Sequence, residues 1–232
     1  MIGHKLLIAF LFSLCGWVAR AQYTEYGAWT GVKASYEATK RLDFSMEVES
    51  RVGGEFNRYN QAFLQVGGAY RINEYLKAAI DYRYAHRNRG FPDFDLRRRV
   101  NTDLMFRIKP EKTRYDLRLR YTAARRNTDE RGTGFAEAFR VKAGAERKII
   151  KRTTLDLSGE LFWRERGGEY EWSDWRFTSA INRNLKKGRT LTVGYRVQRE
   201  VNRRDPLLEH VLVLGYGFEV FRKKKKKEDS AP

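Results

Sequence analysis

Leu42-Asp43-Phe44-Ser45-Met46-Glu47-Val48-Glu49 alternates an apolar side chain with a polar or acidic one at every step. Successive side chains of a strand point to opposite faces, so this stretch has one oily face and one wet face. A helix would scatter the same residues around its circumference. The pattern recurs in runs of about 11 to 13 residues, where an ordinary globular strand has about 5 to 6. A strand crossing a membrane at a tilt of about 45° needs roughly 9 to 11.

Eleven such segments can be marked, at 26–36, 42–52, 62–72, 76–87, 99–108, 115–121, 137–147, 155–164, 174–182, 191–198 and 210–220. Tight or basic turns at 73–74, 110–112, 148–152 and 185–189 alternate with longer polar loops at 53–59, 88–96, 126–134, 165–171 and 201–207. Short connections on one rim and longer ones on the other are how outer-membrane barrels are built. The sequence therefore predicts an all-β fold, an antiparallel up-and-down transmembrane β-barrel of 10–12 strands. Eleven strands would leave the first and last running the same way, and even numbers are the rule in bacterial barrels. That rule predicts either ten strands, with the weakly patterned first segment outside the wall, or twelve, with one unseen.

Periodicity alone does not say which face is inside. Three features favour lipid outside: strand length, the aromatic residues near the ends of the apolar faces, such as Tyr70, Tyr84, Tyr121 and Trp163, and an exported chain. The alternative is a soluble periplasmic β-protein with the apolar face inward, binding a ligand. With lipid outside, the wet faces form a lumen. Its predicted acids are Asp43, Glu47, Glu49, Asp81, Asp103, Asp116, Glu146, Asp156 and Glu160. Its predicted bases are Arg71, Arg83, Arg99, Arg107, Arg118, Arg120, Arg140, Arg176 and Arg196, with Arg87 and Arg164 near a rim. Unpaired burial of such charges is costly, so they should pair across strands. The arginine fork suits that task. A salt-bridged plug and a narrow, mildly anion-preferring pore are the two readings of this interior.

The ends and the composition bound the rest. Residues 1–21 read as a cleaved secretory signal: His4 and Lys5, an apolar stretch, then Ala19-Arg20-Ala21. Residues 22–221 would be the barrel and 222–232 a basic tail. Cys15, the only cysteine, would leave with the signal, which removes disulfides and thiolate sites from the mature chain. Mean hydropathy is negative, and no mature segment is long and apolar enough for a membrane helix. The formal net charge of +18 suggests anionic partners, but the strands mix both signs and an exported chain meets little nucleic acid. Partners are thus outer-membrane lipid and the barrel-assembly machinery, not nucleic acid. No His, Cys and carboxylate spacing suits a metal, and no cofactor motif is present. Lys223 to Lys227 could meet anionic headgroups or simply be solvated.

Tyr26-Gly27-Ala28-Trp29-Thr30-Gly31, the strand Arg41 through Glu49, and Tyr70-Arg71-Ile72-Asn73-Glu74-Tyr75-Leu76-Lys77 together resemble the exported barrel family called domain of unknown function 2490, found widely in Bacteroidota. The resemblance implies an outer-membrane β-barrel. It implies no activity, so no functional residue is carried over. The Lys-rich tail after Phe221 departs from barrels that end on an aromatic residue.

One catalytic alternative exists. Outer-membrane lipid or lipid A hydrolases need a base within reach of a hydroxyl. The mature chain offers His86 and His210, with Ser50 and Ser173 toward the same rim, and Asp93, Asp95 or Glu209 to orient a histidine. No G-x-S-x-G or H-E-x-x-H motif accompanies them.

Overall fold

The computed structural model describes residues 23–90, 93–128, 132–166 and 168–220. The segment 1–21 read as a signal peptide, with Cys15, the tail from 222 with Lys223 to Lys227, and the expected barrel boundaries at 22 and 221 lie outside the described residues. Eleven strands follow one another: β1 (Tyr23–Glu37), β2 (Leu42–Gly53), β3 (Arg58–Arg71), β4 (Leu76–Gly90), β5 (Asp93–Ile108), β6 (Thr113–Thr128), β7 (Gly132–Ile150), β8 (Thr153–Arg166), β9 (Glu169–Asn184), β10 (Arg189–Glu200) and β11 (Leu207–Val220). Each pairs antiparallel with its sequence neighbours, and β1 closes on β11. The fold is a closed barrel, and among the described residues there is no helix.

Closure corrects the expectation of an even strand number. The first segment is a full wall strand, and β1 pairs with β11 in parallel from Tyr23↔Leu207 to Tyr36↔Val220. An odd count makes the first and last strands run the same way, so the last join must be parallel. The barrel is antiparallel everywhere except at this seam.

The longer loops are also corrected. Strands run from 12 to 19 residues, and they absorb most of 88–96, 126–134 and 165–171. Among the described residues, 54–57 and 201–206 remain as connections of that kind. Backbone pairing does not require apolar side chains, so the ladder continues as polar hairpins after the oily pattern stops. At the other rim, the residues between β7 and β8 are just Lys151 and Arg152, and Arg152 takes a left-handed φ of 63° to make the turn.

The register shows steep strands. Tyr36, at the short-turn end of β1, lies on one hydrogen-bonded row with Phe44, Gly68, Ile80, Thr102, Tyr121, Phe139 and Trp163, which is near the opposite end of β8. Rows climb around the wall because the strands are inclined to the barrel axis.

The faces sort by polarity. Leu104, Phe106 and Leu157 stand 43%, 41% and 39% exposed on the outside, whereas Asp103, Arg120 and Glu160 are 6%, 8% and 7% exposed on the inside. The oily side of each zigzag is outward. Toward the end opposite the short turns, the outer face carries packed rings: Tyr26, His210 and Tyr195 in one group, Tyr59, His86 and Phe94 in another, Tyr121, Phe139 and Tyr170 in a third.

The seam can be tested by crosslinking, since the mature chain would carry no native cysteine. Thr30 and Leu214 are register partners, and neighbouring strands lie about 4.8 Å apart, within disulfide reach. Thr30→Cys with Leu214→Cys is expected to oxidise to a circularised chain. Thr30→Cys with Val213→Cys, on opposite faces, is not. Equal crosslinking of both pairs on denaturing gels would contradict the register.

Candidate functional site: an arginine and aromatic belt in the lumen

The barrel encloses a space of about 2010 Å³. Its lining reaches from Thr39, Lys40 and Lys77 at the short-turn rim to Arg58, Arg166 and Arg203 at the other. An eight-strand barrel is just wide enough for side chains to fill, whereas porins of 16 to 18 strands hold an aqueous channel. Eleven strands fall between, and the interior is part filled.

Three ion-pair clusters tie the wall together. Arg120 on β6 donates Nε and Nη2 to the two carboxylate oxygens of Asp103 on β5, both at 2.6 Å, and Nη2 also reaches Asp81 on β4 at 3.2 Å. Glu160 on β8 accepts from Arg118 at 2.8 Å and from Arg176 at 3.1 Å. Arg176 continues to Gln198, Gln198 to Asp174, and Asp174 to Arg164. Near the short turns, Arg107 and Arg114 share Asp116 at 2.6 and 2.9 Å, and Arg114 also bonds Glu146 at 2.8 Å. Asp43 pairs with Lys77 and Glu49 with Arg51. Arg71 lines the space at the short-turn rim, and Glu47 faces Lys33 across the β1–β2 ladder. Asp156 faces Glu146 across the β7–β8 ladder, and no ion pair to it is found among the described residues.

Above the short-turn cluster, rings enter the lumen. Trp29, Phe63 and Phe162 are 7%, 3% and 2% exposed and face inward among charged residues. Arginines lie over them. Arg51 is 3.5 Å from the Trp29 ring centre, Arg196 4.2 Å and Arg176 5.2 Å. Arg83 is 3.4 Å from Phe63, and Arg140 and Arg176 are 4.8 and 4.7 Å from Phe162. A guanidinium stacks on a ring face through both charge and planarity, and being weakly hydrated it gives up little water to do so. The chain Arg83–Phe63–Arg51–Trp29–Arg196 and Arg176–Phe162–Arg140 runs around most of the wall. Arg99 and Arg120 complete the circuit, as direct cross-strand partners of Arg83 and Arg140.

The belt is not neutral. Arg51, Arg120 and Arg176 have carboxylate partners. Among the described residues, Arg83, Arg99, Arg140 and Arg196 form no ion pair. Arg83 donates to Gln65 at 2.8 Å and Arg196 to Thr178 at 3.0 Å, both uncharged.

Most of the charged residues read from alternation line this space, whereas Asp116, Glu146 and Asp156 are not among its lining residues. Trp29, Phe162 and Arg51, which do line it, and Phe63, buried under Arg83, were missed. Their signal was available: each sits on the charged parity of its strand, where a large ring has no reason to be unless it packs against the charges.

The structure does not bring the serines and histidines together. Ser50, Ala62 and His86 are successive members of one row, so Ser50 and His86 are two strands apart, about 10 Å. His86 stacks on Phe94, and Tyr195 shares a hydrogen bond with Nδ1 of His210. Ser173 is set inward by a bulge, where its hydroxyl donates to Asp174 at 2.6 Å. Asp95 pairs with Arg97 at 3.4 Å, and Glu209 lies beside Glu25 at the seam, both on the lumenal side, away from the outward histidines. The side chain of Asp93 lies outside the described residues.

Arg120→Ala would strip two nearly buried carboxylates of their partner. Urea unfolding is expected to show a loss of about 3 kcal/mol, the low end for a broken buried pair because the lumen is part open. An unchanged midpoint would mean that Asp81 and Asp103 are already solvated.

No curated protein matches the chain. A family model described as a protein of unknown function, DUF2490, matches residues 26–208, from the seam strand β1 to the start of β11. That span takes in the belt and nearly the whole wall, and the chain belongs to the DUF2490 family.

Proposed function

We propose that this protein is an outer-membrane β-barrel of a Gram-negative, Bacteroidota-type envelope, exported by a cleaved signal at 1–21, and that it acts as a narrow passage preferring small anions. The observation that carries this reading is the pairing of an exposed apolar exterior with a lumen lined rim to rim by polar residues and carrying four arginines, Arg83, Arg99, Arg140 and Arg196, that form no ion pair among the described residues. An exterior of this kind is unfavourable in water and suited to acyl chains. Strands of 12 residues or more exceed the crossing length. Rings of arginine are how anion pores discriminate. Lipid and the barrel-assembly machinery are the partners this reading implies. The short turns face the periplasm. There the exposed Lys112, Lys148, Lys151, Arg152, Lys186 and Lys187 meet anionic headgroups of the inner leaflet.

Reconstitution into planar bilayers under a tenfold KCl gradient tests the passage. Expected is a small conductance whose reversal potential carries the sign of chloride preference, reduced in Arg196→Gln. A silent bilayer or a cation-selective current would refute the passage. For the membrane location, Leu104→Arg on the outer face is expected to destabilise the lipid-folded barrel by about 2–4 kcal/mol near the midplane. A heat-shift gel on fractionated membranes also bears on it: an aqueous protein without a heat-dependent shift would overturn the location.

A further inference from the structure

Arg83 and Arg99 are direct partners across the β4–β5 ladder, and Arg120 and Arg140 across β6–β7. Like charges directly opposite one another weaken a sheet. Arg120 is offset by Asp81 and Asp103. Arg83, Arg99 and Arg140 have no carboxylate partner among the described residues, and the buried Nε atoms of Arg99 and Arg140 have no hydrogen-bond partner. These three do not share a row. They are nevertheless neighbours, since Arg83 and Arg140 are the two charges that act most strongly on Arg99. Phe63 under Arg83 and Phe162 beside Arg140 fix the planes of two of them.

The wall beside them is small. Ala85 lies two residues beyond Arg83 on β4, Ala124 faces Arg99 from β6, and Ala138 lies two residues from Arg140 on β7. All three line the internal space. The result is an alcove with alanine walls and a rim of three guanidiniums, none of which is ion-paired to a carboxylate among the described residues.

We propose that this alcove is a binding site for a compact dianionic oxyanion, a phosphate group carried as free phosphate or as a small phosphomonoester. The proposal deepens the passage reading by naming what the arginine face holds, and it relies on that reading only for a lumen open to solutes. The guanidinium fork matches the spacing of phosphate oxygens and bonds them two at a time. A dianion with several acceptor oxygens can take two parallel N–H bonds from a single fork and offsets two positive charges, where a spherical chloride offers no paired acceptors and offsets one. Alanine walls leave room for a compact group.

The test uses the folded full-length barrel in detergent micelles, titrated by calorimetry with inorganic phosphate and separately with glycerol 3-phosphate. Saturable binding of at least one is expected. Arg99→Gln and Arg140→Gln should each weaken it at least tenfold. Arg99→Lys, which keeps the charge but loses the fork, should weaken it less. Arg189→Gln, exposed at the short-turn rim, should leave it unchanged. A heat-shift gel confirms that each variant is folded. Tighter glycerol 3-phosphate would assign a phosphomonoester, and tighter inorganic phosphate the free ion. Absence of saturable binding, or binding unaffected by both glutamine variants, would overturn the site. Phosphate added to the bilayer experiment separates the two readings. Binding in micelles without any current sinks the passage and keeps the site, while a chloride current with no phosphate binding sinks the site alone.

Discussion

A sheet of eleven strands has two edges, and each edge is a row of N–H and C=O groups without partners. In this barrel the parallel ladder between β1 and β11 removes both at once, over the whole length from Tyr23 to Tyr36. Parallel bonds are slanted and slightly weaker per residue than antiparallel ones. The length of the seam compensates for that. An open edge in hydrocarbon would leave every group unsatisfied at several kcal/mol each, and in water it would invite pairing with another chain. The other properties of the molecule presuppose this closure, because only a closed wall has an inside.

Closure turns a chemical alternation into a spatial one. Once the wall is complete, arginines and carboxylates from ten or more strands share a confined interior. They must either pair, stack or stay hydrated. The chain uses all three. Arg120 and Glu160 sit at pairing hubs, the belt arginines lie over Trp29, Phe63 and Phe162, and the remaining space of about 2010 Å³ leaves room for water and solutes. Stacking matters most for electrostatics. At Arg83, Arg140 and Arg196 it holds guanidiniums in place without a carboxylate partner among the described residues, so these positions keep positive charge that ion pairing would have offset.

How much of this was legible depends on which physical rule governs each feature. Leu42 to Glu49 announces a two-faced strand because side-chain direction in a strand is purely local. The same rule marked ten further segments and sorted their faces, and it placed Asp103, Arg120 and Glu160 with the charged set. The extents of β7 and β9 were less legible, since main-chain pairing continues through polar residues that look like loop. Ser173 departs from the simple alternation of its strand because the register shift between Phe162 and Trp163 adds a residue on β9, and its side chain is buried. Such a shift is a property of two strands together and leaves no mark in either one.

By itself, then, the chain determined its strands, their two faces and the kinds of charge each face would carry, because these follow from a repeat of two along the backbone. Only the tertiary structure decided that the oily face is outside, that an odd number of strands closes through a parallel seam, and which arginines are left without a carboxylate. Those outcomes depend on curvature, tilt and register, which bring together residues from β4, β5 and β7 that no local pattern relates.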